Sequence, residues 1–125
     1  MKQLEHENIL QVVDTLIHDH TAWLITEYCS RDTGLNDHHD LDSFFMHNAS
    51  RITDDLKLSI MYQTACGTAY LHKNKVIHRD IKPPNILINW SAQMSHILGM
   101  VVKIADFGQS KFLNIDDTSL MTTHV

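Results

Sequence analysis

The stretch His78-Arg79-Asp80-Ile81-Lys82-Pro83-Pro84-Asn85 offers a carboxylate, an ammonium and a carboxamide within six residues, Asp80 to Asn85. Asp106-Phe107-Gly108 follows 21 residues after Asn85, placing a second carboxylate beside a glycine. These residue types suit the transfer of a phosphoryl group. That reaction needs a base to orient an attacking hydroxyl, a cation on the moving phosphate, and hard oxygen ligands for a divalent ion. The two carboxylates, the ammonium and the carboxamide are parts of that kind. Each charged residue taken alone reads as an ordinary solvated loop residue. The set, in this order and at this separation, does not.

H-R-D-x-K-x-x-N followed by D-F-G resembles the catalytic loop and magnesium loop of the eukaryotic protein kinases, and Lys82-Pro83 is similar to their serine/threonine branch. The resemblance implies an α+β, protein-kinase-like fold that is incomplete. Residues 1–28 would form the end of the small lobe and the hinge. Residues 29–125 would form the large lobe through the catalytic loop, the magnesium loop and the start of the activation segment. It also implies ATP and Mg2+ as cofactors and serine/threonine hydroxyls of a protein substrate as acceptors. By that match Asp80 orients the hydroxyl, and Lys82 neutralises the transferring phosphate. Asn85 and Asp106 hold magnesium, and His78 stacks with Phe107. Leu24-Ile25-Thr26-Glu27-Tyr28-Cys29 resembles the fifth strand and hinge. Thr26 is then the gatekeeper, backbone groups of Glu27 and Cys29 meet adenine, and Leu87 lies beneath it. Arg79 would receive an activating phosphate, with Thr118 or Ser119 the favoured carriers among Ser110, Thr118, Ser119, Thr122 and Thr123. Two departures stand out: Pro84 where many relatives carry Glu, and Gln109 where Leu is common. The segments 30–40 and 89–100 look longer than usual.

Such a site needs a scaffold, and the patterning predicts one. Thr53 can cap a helix whose first turn carries Asp54 and Asp55, where the helix dipole favours negative charge. Leu58, Met61, Ala65 and Ala69 recur at three- and four-residue steps and Leu71 closes the pattern, predicting a helix from Asp54 to about His72 with an apolar face that implies a partner surface. Leu41 to His47 reads as a shorter helix with Leu41, Phe44 and Phe45 on one side. Ile9 to Leu16 and Ala22 to Thr26 flank the polar turn His18-Asp19-His20, which predicts an antiparallel pair. Leu4 to Val13 begins helix-like, and Met1 to Ile9 resembles the end of the family's C-helix and the start of its fourth strand. Val76-Ile77, Ile86-Leu87-Ile88 and Val101 to Ala105 are short strand candidates. Asp116 to Val125 is polar and without periodicity.

The 125 residues amount to at most one domain, and 43% hydrophobic with 20% charged residues is ordinary globular usage, so collagen-like and disordered classes are excluded. A net charge of −5 argues against a protein held to nucleic acid by its overall field. No apolar run approaches the roughly 18 residues of a membrane span. The polar, acidic start is unlike a secretory leader. Two cysteines, Cys29 and Cys66, make no disulfide framework, so a reducing compartment is expected, the cytoplasm or the nucleus. The histidine clusters His18-Asp19-His20 and Asp37-His38-His39-Asp40 read as solvated loops rather than zinc ligands. A Gly-rich loop, a V-A-I-K lysine and an A-P-E segment do not occur in this sequence, so the resemblance covers about half a kinase domain. Two expectations follow: the catalytic middle of an active kinase, or a truncated, non-catalytic piece that binds or scaffolds, or is not stably folded.

Overall fold

The computed structural model describes residues 4–29, 39–90 and 99–113. Its first segment corrects one expectation, because Leu4 to His6 is irregular chain and Glu7-Asn8 a turn, with no helix end among these described residues. Asn8 N–H donates to His6 Nδ1 (3.0 Å) and Ile9 N–H to the His6 carbonyl (3.1 Å). The Asn8 side chain is drawn inward, donating to Gln63 Oε1 (3.1 Å) and to the Val102 carbonyl (3.0 Å). Ile9 then bridges Ile104 in parallel, so the first strand starts later than its apolar run suggests.

That strand, β1 (Val12–His18), pairs antiparallel with β2 (Thr21–Thr26), with a bulge between Val12 and Asp14. Asp19 (φ 48°) and His20 (φ 63°) connect them as a two-residue turn with both residues left-handed, whose twist matches that of the flanking strands. Helix α1 (Leu41–His47) starts at Asp40, whose carboxylate accepts from Ser43 N–H (2.8 Å) and the Ser43 hydroxyl (2.9 Å). Burial alone would raise the Asp40 pKa, but these hydrogen bonds outweigh it and hold the carboxyl below its usual range.

Helix α2 (Asp54–Lys73) begins as its sequence predicts, with Thr53 Oγ1 accepting from Leu56 N–H at 3.2 Å. Its inward face is Leu56, Ile60, Gln63, Gly67 and Leu71. The periodic residues Leu58 (66% exposed) and Met61 (68%) lie elsewhere. Met61, Ala65 and Ala69 instead line an open apolar groove of about 910 Å³ with Leu41, Phe45, Ile52 and Ile86.

Strand β3 (Val76–Ile77) is followed by β4 (Ile86–Trp90) and β5 (Met100–Ile104), which pair antiparallel from Ile86↔Ile104 to Trp90↔Met100. Every residue of β5 is buried. Strand β6 (Lys111–Phe112) returns to pair with β3, a two-residue pairing too short to leave a periodic trace in sequence. Leu41, Phe44, Leu56, Ile60, Ile86 and Ile88 pack with Met100 and Val102 as one core cluster; Ile9, Leu71, Val76 and Ile104 form a second. Gln63 joins α2 to β5. Its Oε1 accepts from Asn8 Nδ2 (3.1 Å) and Val102 N–H (2.8 Å), and its Nε2 donates to the Met100 carbonyl (3.2 Å) and Ser59 Oγ (3.1 Å). Among the described residues no helix is long and apolar enough to cross a membrane.

Candidate active site

The β4–β5 ladder brings the two halves of the site together. Its first rung is Ile86↔Ile104, and just beyond it Ala105 N–H donates to the Asn85 carbonyl at 2.9 Å. Asn85 and Asp106 therefore leave the same end of one ladder. On the loop side, the 3-10 turn Pro83–Asn85 takes its start from two prolines whose φ is already fixed near the helical value, and Asn85 N–H closes it on the Lys82 carbonyl (2.9 Å). This turn swings the Asn85 amide back over Asp80. Asn85 Nδ2 donates to Asp80 Oδ2 (2.9 Å) and to the Asp80 carbonyl (3.0 Å), while Lys82 Nζ lies 3.1 Å from Asp80 Oδ1. Both carboxylate oxygens of Asp80 are thus oriented. The hydrogen bond from Lys82 is the main cause holding the Asp80 carboxyl below its usual range. Partial desolvation opposes it, and the Lys82 charge, the Asn85 amide and His78 reinforce it.

Beneath this loop His78 is buried. Its Nε2 faces the Ala105 carbonyl at 2.8 Å, and its Nδ1 faces Asp80 N–H at 3.2 Å. A carbonyl can only accept and an amide can only donate, so the proton sits on Nε2. The ring meets Phe107 edge-on, with centroids 5.1 Å apart, which places His78 and Phe107 together as the family resemblance implies. Two non-glycine residues here adopt left-handed backbone: Arg79 (φ 68°) and Asp106 (φ 58°). Such conformations cost on the order of 1–3 kcal/mol each and persist where neighbours over-determine them. For Asp106 the neighbour is Gly108 N–H, donating to Asp106 Oδ1 at 3.2 Å. For Arg79 it is the Gln109 carbonyl, which accepts from Nε at 2.5 Å. The guanidinium expected to meet a phosphate thus holds main chain next to the D-F-G stretch. Ser110 donates its hydroxyl to the Phe107 carbonyl (2.7 Å), whereas Thr118, Ser119, Thr122 and Thr123 lie outside the described residues.

On the other side of β4, Leu87 pairs with Lys103. Directly opposed residues of an antiparallel pair project to the same face. That face carries Lys103 Nζ to Glu27 Oε1, 2.7 Å away, so Leu87 shares it with the 27–29 segment. Cys29 is buried, and burial foremost, then the Glu27 charge, raises its thiol pKa against the opposing effect of Lys103. The sequence-based site residues therefore fall into two groups. Asp80, Lys82 and Asn85 touch one another, with Asp106 joined to them through the Ala105–Asn85 bond. Glu27, Cys29 and Leu87 gather around Lys103, which the sequence reading passed over as strand. Its signal was a lone lysine inside the apolar run Val101-Val102-Lys103-Ile104-Ala105.

Among the described residues, no protein donor meets Asn85 Oδ1 or the second carboxylate oxygen of Asp106. Oxygen donors of this kind suit a hard divalent cation such as Mg2+.

A family model for the protein kinase domain matches residues 1–125. The chain is 33% identical over 115 residues to "Serine/threonine-protein kinase srb10" of Schizosaccharomyces pombe, an alignment covering 90% of this chain and 27% of that protein. It is 34% identical over 114 residues to "Probable serine/threonine-protein kinase gdt2" of Dictyostelium discoideum, covering 91% of this chain and 6% of that protein.

Proposed function

Since the chain belongs to the protein kinase domain family, we propose that it carries the phosphoryl-transfer centre of an ATP- and Mg2+-dependent protein serine/threonine kinase. The observation that carries this reading is the grip on Asp80, with Lys82 at one carboxylate oxygen and Asn85 at the other. A carboxylate so held has a fixed lone-pair direction. It can accept and orient the hydroxyl of a serine or threonine without first reorganising. Lys82, tethered beside it, presents its ammonium to the phosphate as the hydroxyl approaches. Asn85 and Asp106 would contribute the oxygens that hold magnesium, which would supply positive charge to offset that of the phosphates. The base would rest against Leu87 and meet backbone groups of Glu27 and Cys29.

The test is transfer of labelled γ-phosphate from MgATP to casein by the full-length protein. Asp80→Asn should lower turnover by roughly 10²–10⁴, the scale of a positioned acid–base group. Wild-type turnover in that variant would refute the assignment. The open groove beside α2 supports a second, non-catalytic reading in which this stretch serves as a binding piece. That reading gains if the full-length protein transfers no phosphate.

A further inference from the structure

Lys103 lies within β5, the strand that ends two residues before Asp106, and it is the only buried lysine among the described residues. A buried ammonium is costly unless it is paired and hydrogen-bonded. Here both conditions hold: the side chain is 8% exposed, its Nζ lies 2.7 Å from Glu27 Oε1, and it donates to the Glu7 carbonyl at 3.0 Å. The same Glu27 oxygen accepts from Gln11 N–H at 2.9 Å, and Glu27 N–H donates back to the Gln11 carbonyl at 2.9 Å. One ammonium therefore ties together the turn at residue 7, the end of β2 and the middle of β5. A strand needing only to pack would place an aliphatic side chain here, as its neighbours Val102 and Ile104 do. Neither Asp80 nor Asp106 is a partner of Lys103, so the local chemistry does not account for its charge.

We propose that the Glu27–Lys103 ion pair is a positioning clamp that fixes the 27–29 segment, where the nucleotide base is held, relative to the strand that delivers Asp106, where its phosphates are held. The proposal rests on the kinase reading above. Backbone groups of residues 27 and 29 serve the base, which leaves the Glu27 carboxylate free to turn inward onto Lys103. A nucleotide must span both ends of this arrangement at once, and the pair sets the spacing it meets. Asp80, Lys82 and Asn85 hold one another without Lys103, so loss of the clamp should weaken nucleotide engagement more than the chemical step.

In the full-length protein, Lys103→Met and Glu27→Ala should each raise the KM for ATP roughly tenfold, inside the hundredfold that an ångström of misplacement can cost. In Lys103→Met, turnover should stay within about twofold, the pattern of lost binding rather than lost chemistry. Affinity for a fluorescent ATP analogue with Mg2+ should fall in parallel. Glu27→Gln keeps an oxygen for both Lys103 and Gln11 N–H and should recover most of that affinity. The double variant Lys103→Met with Glu27→Leu removes the unpaired charge, so its melting temperature should recover while its ATP affinity does not. A pair with a purely structural role would recover both together, and that result overturns the clamp. So does an unchanged ATP KM in folded Lys103→Met. A raised turnover at unchanged KM overturns it as well, marking the pair as a restraint on closure. Each of these outcomes leaves the kinase reading intact, whereas a wild-type protein that neither binds the analogue nor transfers phosphate removes both.

Discussion

Asp80 is the residue on which the proposed chemistry turns, and its state is set by its neighbours. The hydrogen bond from Lys82 is the leading cause that holds its carboxyl below the usual range. A depressed pKa keeps the group ionised as pH falls, until the pH passes the lowered folded value. Any stability the pairing lends is likewise present above the unfolded pKa and lost on descent through the folded one. Removing the main cause should therefore raise the midpoint. In Lys82→Met, a carbon-13 titration of the Asp80 carboxyl should show it moving up toward the ordinary aspartate range, about 3.9. A midpoint that stays put or moves down would show that Lys82 does not set it. At this scale the nearness of Asp80, Asn85 and Asp106 was legible in the sequence, because their types and spacing match what the proposed chemistry requires. Lys103 was not legible in the same way. Its partners Glu27 and Glu7 lie far away along the chain, and only the fold reveals that its ammonium is buried.

Helix α2 shows where pattern alone loses resolution. Its limits and its Thr53 cap follow from sequence, but two stripes at helical spacing run along it. One is Leu58, Met61, Ala65 and Ala69; the other is Leu56, Ile60, Gln63, Gly67 and Leu71, which the structure buries. The buried stripe holds a glutamine and a glycine, and both look like poor core residues until their partners are known. Gln63 fills all its hydrogen-bonding positions against Asn8, Ser59 and β5. Gly67 lets the helix approach the Asn8 turn so closely that an added Cβ would sit 2.8 Å from the Asn8 carbonyl oxygen and 3.0 Å from Ile104 Cδ1. The first of those atoms is main chain, tied to Ile104 N–H at 2.9 Å, and cannot swing aside. Alanine gains up to about 1 kcal/mol of helix propensity over glycine. Overpacking a tight contact costs about 1–3 kcal/mol. Gly67→Ala should therefore lower the melting temperature, the reverse of the effect at an exposed helical glycine. An equal or higher melting temperature would mean that the helix and the Asn8 turn can separate without penalty.

Across the whole molecule, burial is uneven in a way no local pattern announces. β1, β2, β4 and β5 carry four apolar residues each, and sequence gives all four a strand signal. In the structure β5 is wholly buried between α2 and β4, whereas Leu16, Ile17, Trp23 and Leu24 of the hairpin stand exposed. The hairpin borders a cleft of about 470 Å³ whose other wall includes Val76, Phe107 and Phe112. A two-stranded ribbon with so little packed against it is marginal in water. Its ties to the body are concentrated at one end, where Gln11 N–H and the Lys103 ammonium both meet the Glu27 carboxylate. Opening free energies within one protein range from near zero to the full unfolding value, according to how much packing each unit shares. Hydrogen exchange on the 125-residue chain should accordingly separate the two ladders. Amides of Leu16, His18 and Trp23, which fall in the hydrogen-bonded pairs of that hairpin, should exchange through its local opening, at rates insensitive to mild denaturant. Amides of Ile88, Val102 and Ile104 should exchange only on global unfolding, with rates that climb steeply as denaturant is added. Lys103→Met should loosen the hairpin amides nearest residue 27 further. If both ladders exchanged with one common denaturant dependence, the hairpin would be part of the same cooperative unit as β4 and β5, and its exposure would carry no dynamic consequence.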